Sequence, residues 1–207
     1  MYALIENNEI KKIYNNPRAL KINDIQYPRS IFSLWTKEEL EAKGICEVIF
    51  DNTNKKDEAY YNNTNQSFDY DNGVVTASFG TATAKLLEDR NEVDEAGEPL
   101  LDDKGNQIVT KGLKSQKKDI IKQQASGLLA PTDWYVLKAT DVEDYSVPSA
   151  VSTFRANVRT KSNEMETAID NAADVDALAT LYAYVNTGTE ENPVMERPLG
   201  EWPELGV

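Results

Sequence analysis

An α+β chain is what this sequence predicts, with strands in its first part and helices in its last. Three observations carry that expectation. The first eighty or so residues hold short β-prone runs broken by Asn-Asn and Asn-Gly pairs, which favour tight hairpins. Residues from 113 onward repeat apolar side chains at threes, fours and sevens, the spacing of amphipathic helices. Between them lies a stretch, residues 91–110, that holds six carboxylates and a single lysine.

In the first part, Tyr2 to Ile5 and Ile10 to Tyr14 flank Asn7-Asn8 as an opening hairpin. Pro17 and Pro28 predict loop between them, with at most a short edge strand. Thr36 and Glu39 match a capping box and Gly44 stands at a helix C′ position, so one short helix is expected over about 36–43. Ile45 to Phe50 reads as a strand, and Phe68 to Tyr70 and Val74 to Phe79 flank Asn72-Gly73 as a second hairpin. Residues 92–110 read as a hairpin or arm too short to be stable without a partner surface. No internal repeat is evident.

Helices follow. Leu113, Ile120, Ile121, Gln124 and Leu128 make an imperfect stripe within 113–129, ending before Pro131. Thr132-Asp133-Trp134 starts a short helix to about Ala139, and Pro148 sits near the start of the next. There Val151, Phe154, Val158, Met165, Ala168, Ile169 and Ala172 form a core-facing stripe, and Asp174 caps a further helix through Val175, Leu178, Leu181, Tyr182 and Val185. The expected domains are a β-rich unit over 1–88, an acidic arm or linker over 89–111, and a helical hairpin or bundle with an extended tail over 112–207.

Composition narrows function more by exclusion. The 207 residues carry 22 basic and 35 acidic side chains, a formal charge of −13. That balance disfavours nucleic acid, whose phosphates need clustered Lys and Arg, and disfavours anionic membrane surfaces. Without a histidine, His-based triads, histidine-ligated metals and histidine pH switches are excluded. The lone Cys46 sits inside an apolar run and reads as a small core residue. Asp69, Asp71 and Asn72-Gly73, and Asp102, Asp103 and Gly105-Asn106, resemble calcium loops only faintly; neither completes the twelve-residue pattern, and turn chemistry explains both. No catalytic, cofactor-binding or metal-ligating residue is therefore expected, and no cofactor. The opening residues lack a basic stretch followed by an apolar core, so no secretory leader is expected. Aromatics crowd the first part, where cross-strand packing accounts for them better than a binding face. Trp134 and Trp202 flank the helical part and are expected to anchor its ends.

Several segments carry a resemblance. Gly127-Leu-Leu-Ala-Pro-Thr-Asp-Trp-Tyr-Val-Leu-Lys resembles a stretch common in tailed-bacteriophage tail proteins, as do Val147-Pro-Ser-Ala-Val-Ser-Thr-Phe-Arg155 and Val158-Arg159. The ending Gly200-Glu-Trp-Pro-Glu204 is similar to that of tail-fibre assembly proteins and related marine-phage tail proteins. The opening Met1 to Asn7, with Tyr27-Pro28 and Gly44-Ile45, looks like the small domain found with that helical end. The likeness covers most of 1–60 and 112–205 and leaves the acidic stretch unmatched. It implies a virion structural protein of the tail, near the baseplate or the fibre attachment, with no catalytic motif. The alternative is a fibre-assembly chaperone not retained in the virion. Partners would be fibre, baseplate or tube proteins, met in multiple copies set by tail symmetry. The protein would be assembled in the bacterial host cytoplasm and end in the virion tail. Glu92, Asp94, Glu95, Glu98, Asp102, Asp103, Trp134 and Trp202 are the expected partner-binding residues.

Overall fold

The computed structural model describes residues 1–206 and divides the chain into two compact units, Met1–Thr83 and Ala84–Val207. Strands followed by helices make it an α+β protein, as the sequence predicts.

In the first unit, β1 (Tyr2–Glu6) and β2 (Glu9–Tyr14) form the opening hairpin, with Asn7 and Asn8 both at positive φ in the turn. A second hairpin, β3 (Leu20–Ile22) and β4 (Ile25–Tyr27), stands where loop was expected. Its turn is Asn23-Asp24, again at positive φ, because Asn and Asp tolerate the left-handed region well enough to replace the usual glycine. Two short helices follow rather than one: α1 (Ile31–Leu34) and α2 (Lys37–Glu41). Thr36 and Glu39 close the capping box that starts α2. After α2, Gly44 has φ +75, its carbonyl accepts from Ile5 N at 2.7 Å, and an added Cβ would meet Ile5 O at 2.4 Å. Both conformation and space demand glycine there.

Beyond Gly44 come β5 (Ile45–Asp51), β6 (Tyr61–Asn62), β7 (Ser67–Asp71) and β8 (Val74–Ser78), and the unit ends at β9 (Thr83–Ala84). The main sheet has the order β2-β1-β5-β8-β7. All neighbours are antiparallel except β5 and β8, which run parallel. Successive residues on a strand face opposite sides, and here both sides are covered. Leu4 and Ile45 join Tyr14, Leu20, Ile22, Ile31 and Leu40 in one cluster, with Tyr2, Tyr27, Phe32 and Trp35 packed against it. Ala3 and Cys46, one residue away, join Val48, Val75 and Ala77 in another.

The second unit contains β10 (Arg90–Asn91), β11 (Val109–Thr110), α3 (Leu113–Leu129), a 3₁₀ turn at Ala130–Thr132, α4 (Asp133–Asp141), α5 (Ser149–Asp170), α6 (Val175–Tyr182) and a small hairpin of β12 (Val185–Asn186) and β13 (Met195–Glu196). Val151, Phe154, Val158, Met165 and Ile169 of α5 are buried as expected, and so are Val175 and Leu178 of α6. On α3 the buried face is Leu113, Lys114, Ile121 and Ala125; Ile120 and Gln124 turn outward, so the expected stripe there is rotated. Val185, expected to continue the last helix, lies in the exposed hairpin instead.

Residues 86–88, expected to end the first domain, and Asp89, expected to open the arm, belong to the second unit, where they cap α3. Gly112 opens α3 with no side chain to offer, so the orphan N–H groups find partners upstream. Leu113 N donates to Leu86 O, Lys114 N to Leu87 O, and Gly112 N to Asp89 Oδ1. A Cβ on Gly112 would meet Glu88 C at 2.4 Å, so only glycine lets the chain pass this close. Lys114 Nζ, nearly buried, bonds Glu88 and the last-turn carbonyl of Asp170, while Lys118 pairs with Asp170 Oδ1 at 2.6 Å. Two ammonium groups thus sit at the negative end of α5.

Candidate functional site

The acidic stretch is more ordered than a bare ribbon. An eight-residue pattern runs through it twice: Val93-Asp94-Glu95-Ala96-Gly97-Glu98-Pro99-Leu100 and Leu101-Asp102-Asp103-Lys104-Gly105-Asn106-Gln107-Ile108. Each copy is one hairpin. Asp94 Oδ1 accepts from Ala96 N and Glu98 N, and Asp102 Oδ1 accepts from Lys104 N and Asn106 N. Gly97 and Gly105 take φ +85 and +81 at the matching turn positions. The base pair β10–β11 supplies a third side.

The three sides meet through a closed ring of backbone hydrogen bonds. Glu92 N donates to Ile108 O, Ile108 N to Leu100 O, and Leu100 N to Glu92 O, each at 2.8–2.9 Å. The Gln107 amide donates to the same three carbonyls at 2.7, 3.1 and 3.1 Å. The arm is therefore a pseudo-threefold knob ordered from within, which corrects both the absence of a repeat and the expected need for a partner surface. The repeat escapes inspection of the sequence because only Asp and Gly recur as identical residues, with an acidic residue after the Asp and an apolar residue at each end; the backbone ring makes the equivalence visible.

The expected contact residues divide by role. Asp94 and Asp102 are committed to turn N–H groups, and those bonds from Asn106 and Lys104 hold the Asp102 carboxyl below the usual aspartate range. Glu92 is half-buried, accepting from Thr110 Oγ1 and Arg90, which lower its pKa. These three build the knob. Glu95, Glu98 and Asp103 are exposed at its turns, together with the apolar side chains of Val93, Leu100, Leu101, Ile108 and Val109.

The tryptophans also part company. Trp202 is half-buried against the Ala125, Phe154 and Val158 cluster and donates Nε1–H to Gln124 Oε1 at 3.1 Å, so it anchors the tail. Trp134 is 51% exposed on α4, a helix with no buried residue, and its ring lies against Tyr135 and Lys138 Nζ of its own helix, at 3.8 Å and 5.9 Å. Its position follows from the turn before it. Arg155, on α5, donates through Nη1 to Leu129 O and Thr132 Oγ1 and pairs with Asp133 Oδ1 at 2.8 Å, locking the α3–α4 corner. In the sequence Arg155 stands out only as the end of a tail-protein-like segment, since nothing local marks an arginine as a clamp.

The remaining candidates are structural. Cys46 is buried in β5, and burial pushes its thiol pKa up, the opposite of nucleophile activation. Asp69 and Asp71 belong to the β7–β8 hairpin, whose turn is Asn72-Gly73. Among the described residues no three potential ligands from His, Cys, Asp and Glu gather as a metal site, and no helix is long and apolar enough to cross a membrane. The chain matches no protein-family model, no curated protein and no solved structure.

Proposed function

We propose that this protein is a structural component of a bacteriophage tail, in the baseplate or fibre-attachment region, and works by protein–protein contact without chemistry. The observation that carries the reading is the knob at 90–110. Its turns hold carboxylates and its sides hold exposed apolar residues, all on a backbone that closes on itself. Preorganisation of that kind lowers the entropy lost on docking. The tail-protein likeness at 127–138, 147–155, 158–159 and 200–204 supports the same reading and brings no catalytic residues with it. A neighbour with basic patches would match the acidic surface, and charge would set register and partner choice.

Mass spectrometry of purified particles tests the assignment. A stoichiometric component bearing this sequence is expected; its absence from infectious particles points to the second reading, a fibre-assembly chaperone, which the Gly200–Glu204 segment favours. Deleting residues 92–110 should leave a folded protein, because the bonds from 86–89 to the start of α3 remain. That protein should fail to incorporate into tails, and normal incorporation would remove the knob from the mechanism.

A further inference from the structure

Helix α4 exposes more large apolar side chains than a surface helix needs. Its sequence, Asp-Trp-Tyr-Val-Leu-Lys-Ala-Thr-Asp, presents four consecutive aromatic or aliphatic side chains, interleaved around the helix with Asp133, Lys138, Thr140 and Asp141. Exposed apolar side chains gathered together and rimmed by polar ones mark interaction sites. Here none of the nine residues is buried, and Leu137 is 65% exposed. Val136 and Val142 are exposed beside it. Nine residues are too few to hold a helix in water unaided, since isolated helices shorter than ~12–15 residues are marginal. The order of α4 starts from the Arg155 clamp at its N-terminus, which holds the helix in place and leaves its side chains bare.

Charge selects what can cover it. Lys138 is the only basic residue between Lys122 and Arg155, and its Nζ lies 4.3 Å from the Tyr145 ring centroid and 5.9 Å from that of Trp134. Around the apolar residues stand Asp141, Glu143 and Asp144, while Asp133 is neutralised by Arg155. A second copy would bring another three carboxylates against them on a chain already at −13, and like charges facing each other oppose self-association. An anionic membrane is disfavoured on the same ground.

We infer that α4 is a docking helix whose occupant is another protein, presenting an apolar groove rimmed by Lys and Arg. Trp134 and Leu137, three residues apart on one face, are the anchors, and the flanking carboxylates meet the basic rim. The inference rests on the proposal that the chain acts through protein contacts, and adds to it the element and the chemistry of the partner.

The test places a photo-crosslinking amino acid at Leu137, with a control at the exposed Glu164 of α5, in the cells that naturally make the protein. The expected result is one protein adduct at Leu137, at least tenfold above the control, whose linked peptide lies in an apolar groove flanked by Lys or Arg. Trp134→Ser should abolish it, and Asp141→Lys with Glu143→Lys should cut its yield several-fold. Circular dichroism should show both variants folded, as every altered side chain is exposed. An adduct to a second copy or to lipid, none above the control, or a yield indifferent to charge reversal would overturn the inference. A groove on a protein outside the virion would sustain the docking helix while refuting the tail assignment.

Discussion

Phe154 is the side chain on which the order of the second unit most visibly depends. It lies on α5, 7% exposed, in one cluster with Ala125 of α3 and Val158, with Leu128, Leu129 and Trp202 packed around it. Phe154→Ala removes a ring from the junction of two helices and the C-terminal tail, leaving a cavity that rigid helix backbones cannot collapse to fill. Such truncations cost about 3–5 kcal/mol. For a unit of this size each kcal/mol lowers Tm by roughly 4 °C, so a drop on the order of 10–20 °C is expected. Thermal unfolding followed at 222 nm reports mainly the helical unit, and tryptophan emission should shift red as Trp202 loses its packing. Phe154→Leu keeps much of the volume and should lose less than half as much. A Tm within 3 °C of the parent (about 0.75 kcal/mol by the same conversion) would refute the argument that this face is core.

Gly105→Val forces a β-branched residue into φ +81, costing roughly 1–2 kcal/mol; an added Cβ meets nothing within 4 Å there, so the penalty is conformational, and fast amide exchange confined to the knob is the expected readout. The Asp102 carboxyl has a folded pKa below its unfolded one, so its contribution is present above the ordinary aspartate range and lost as pH falls through the folded value. Protection of the Lys104 and Asn106 amides, taken relative to their intrinsic exchange rate at each pH, should accordingly fall on acidification, and Asp102→Asn should flatten that dependence. Arg155→Met leaves the Thr132 hydroxyl and the Leu129 carbonyl without their charged donor, costing about 1–3 kcal/mol. Trp134 emission anisotropy should fall as α4 loosens, while an unchanged anisotropy would show that the clamp does not position the helix.

Local patterns determined most of the elements. The Asn7-Asn8 and Asn72-Gly73 turns, the Thr36–Glu39 capping box, and the extents of α3 and of the α5 stripe follow from side chains within one turn or one strand of each other. Such signals act through short-range sterics and hydrogen bonding, so they are legible in one dimension. The β3–β4 hairpin is equally local, but Pro17 and Pro28 on either side of it point to loop and mask its Asn23-Asp24 turn.

Tertiary structure decided what depends on distant groups meeting. Two weakly similar octapeptides became one knob when the carbonyls of Glu92, Leu100 and Ile108 closed a ring around the Gln107 amide. Leu86 to Asp89 joined the helical unit because Gly112 leaves α3 without a cap of its own. Trp134 and Trp202 are indistinguishable by type, yet Gln124 and Phe154 draw one inward while Arg155 fixes the corner that holds the other out. Composition could announce that aromatic residues are present; only long-range hydrogen bonds and packing determine which of them remain for a partner, because burial is a property of the assembled surface and not of the residue.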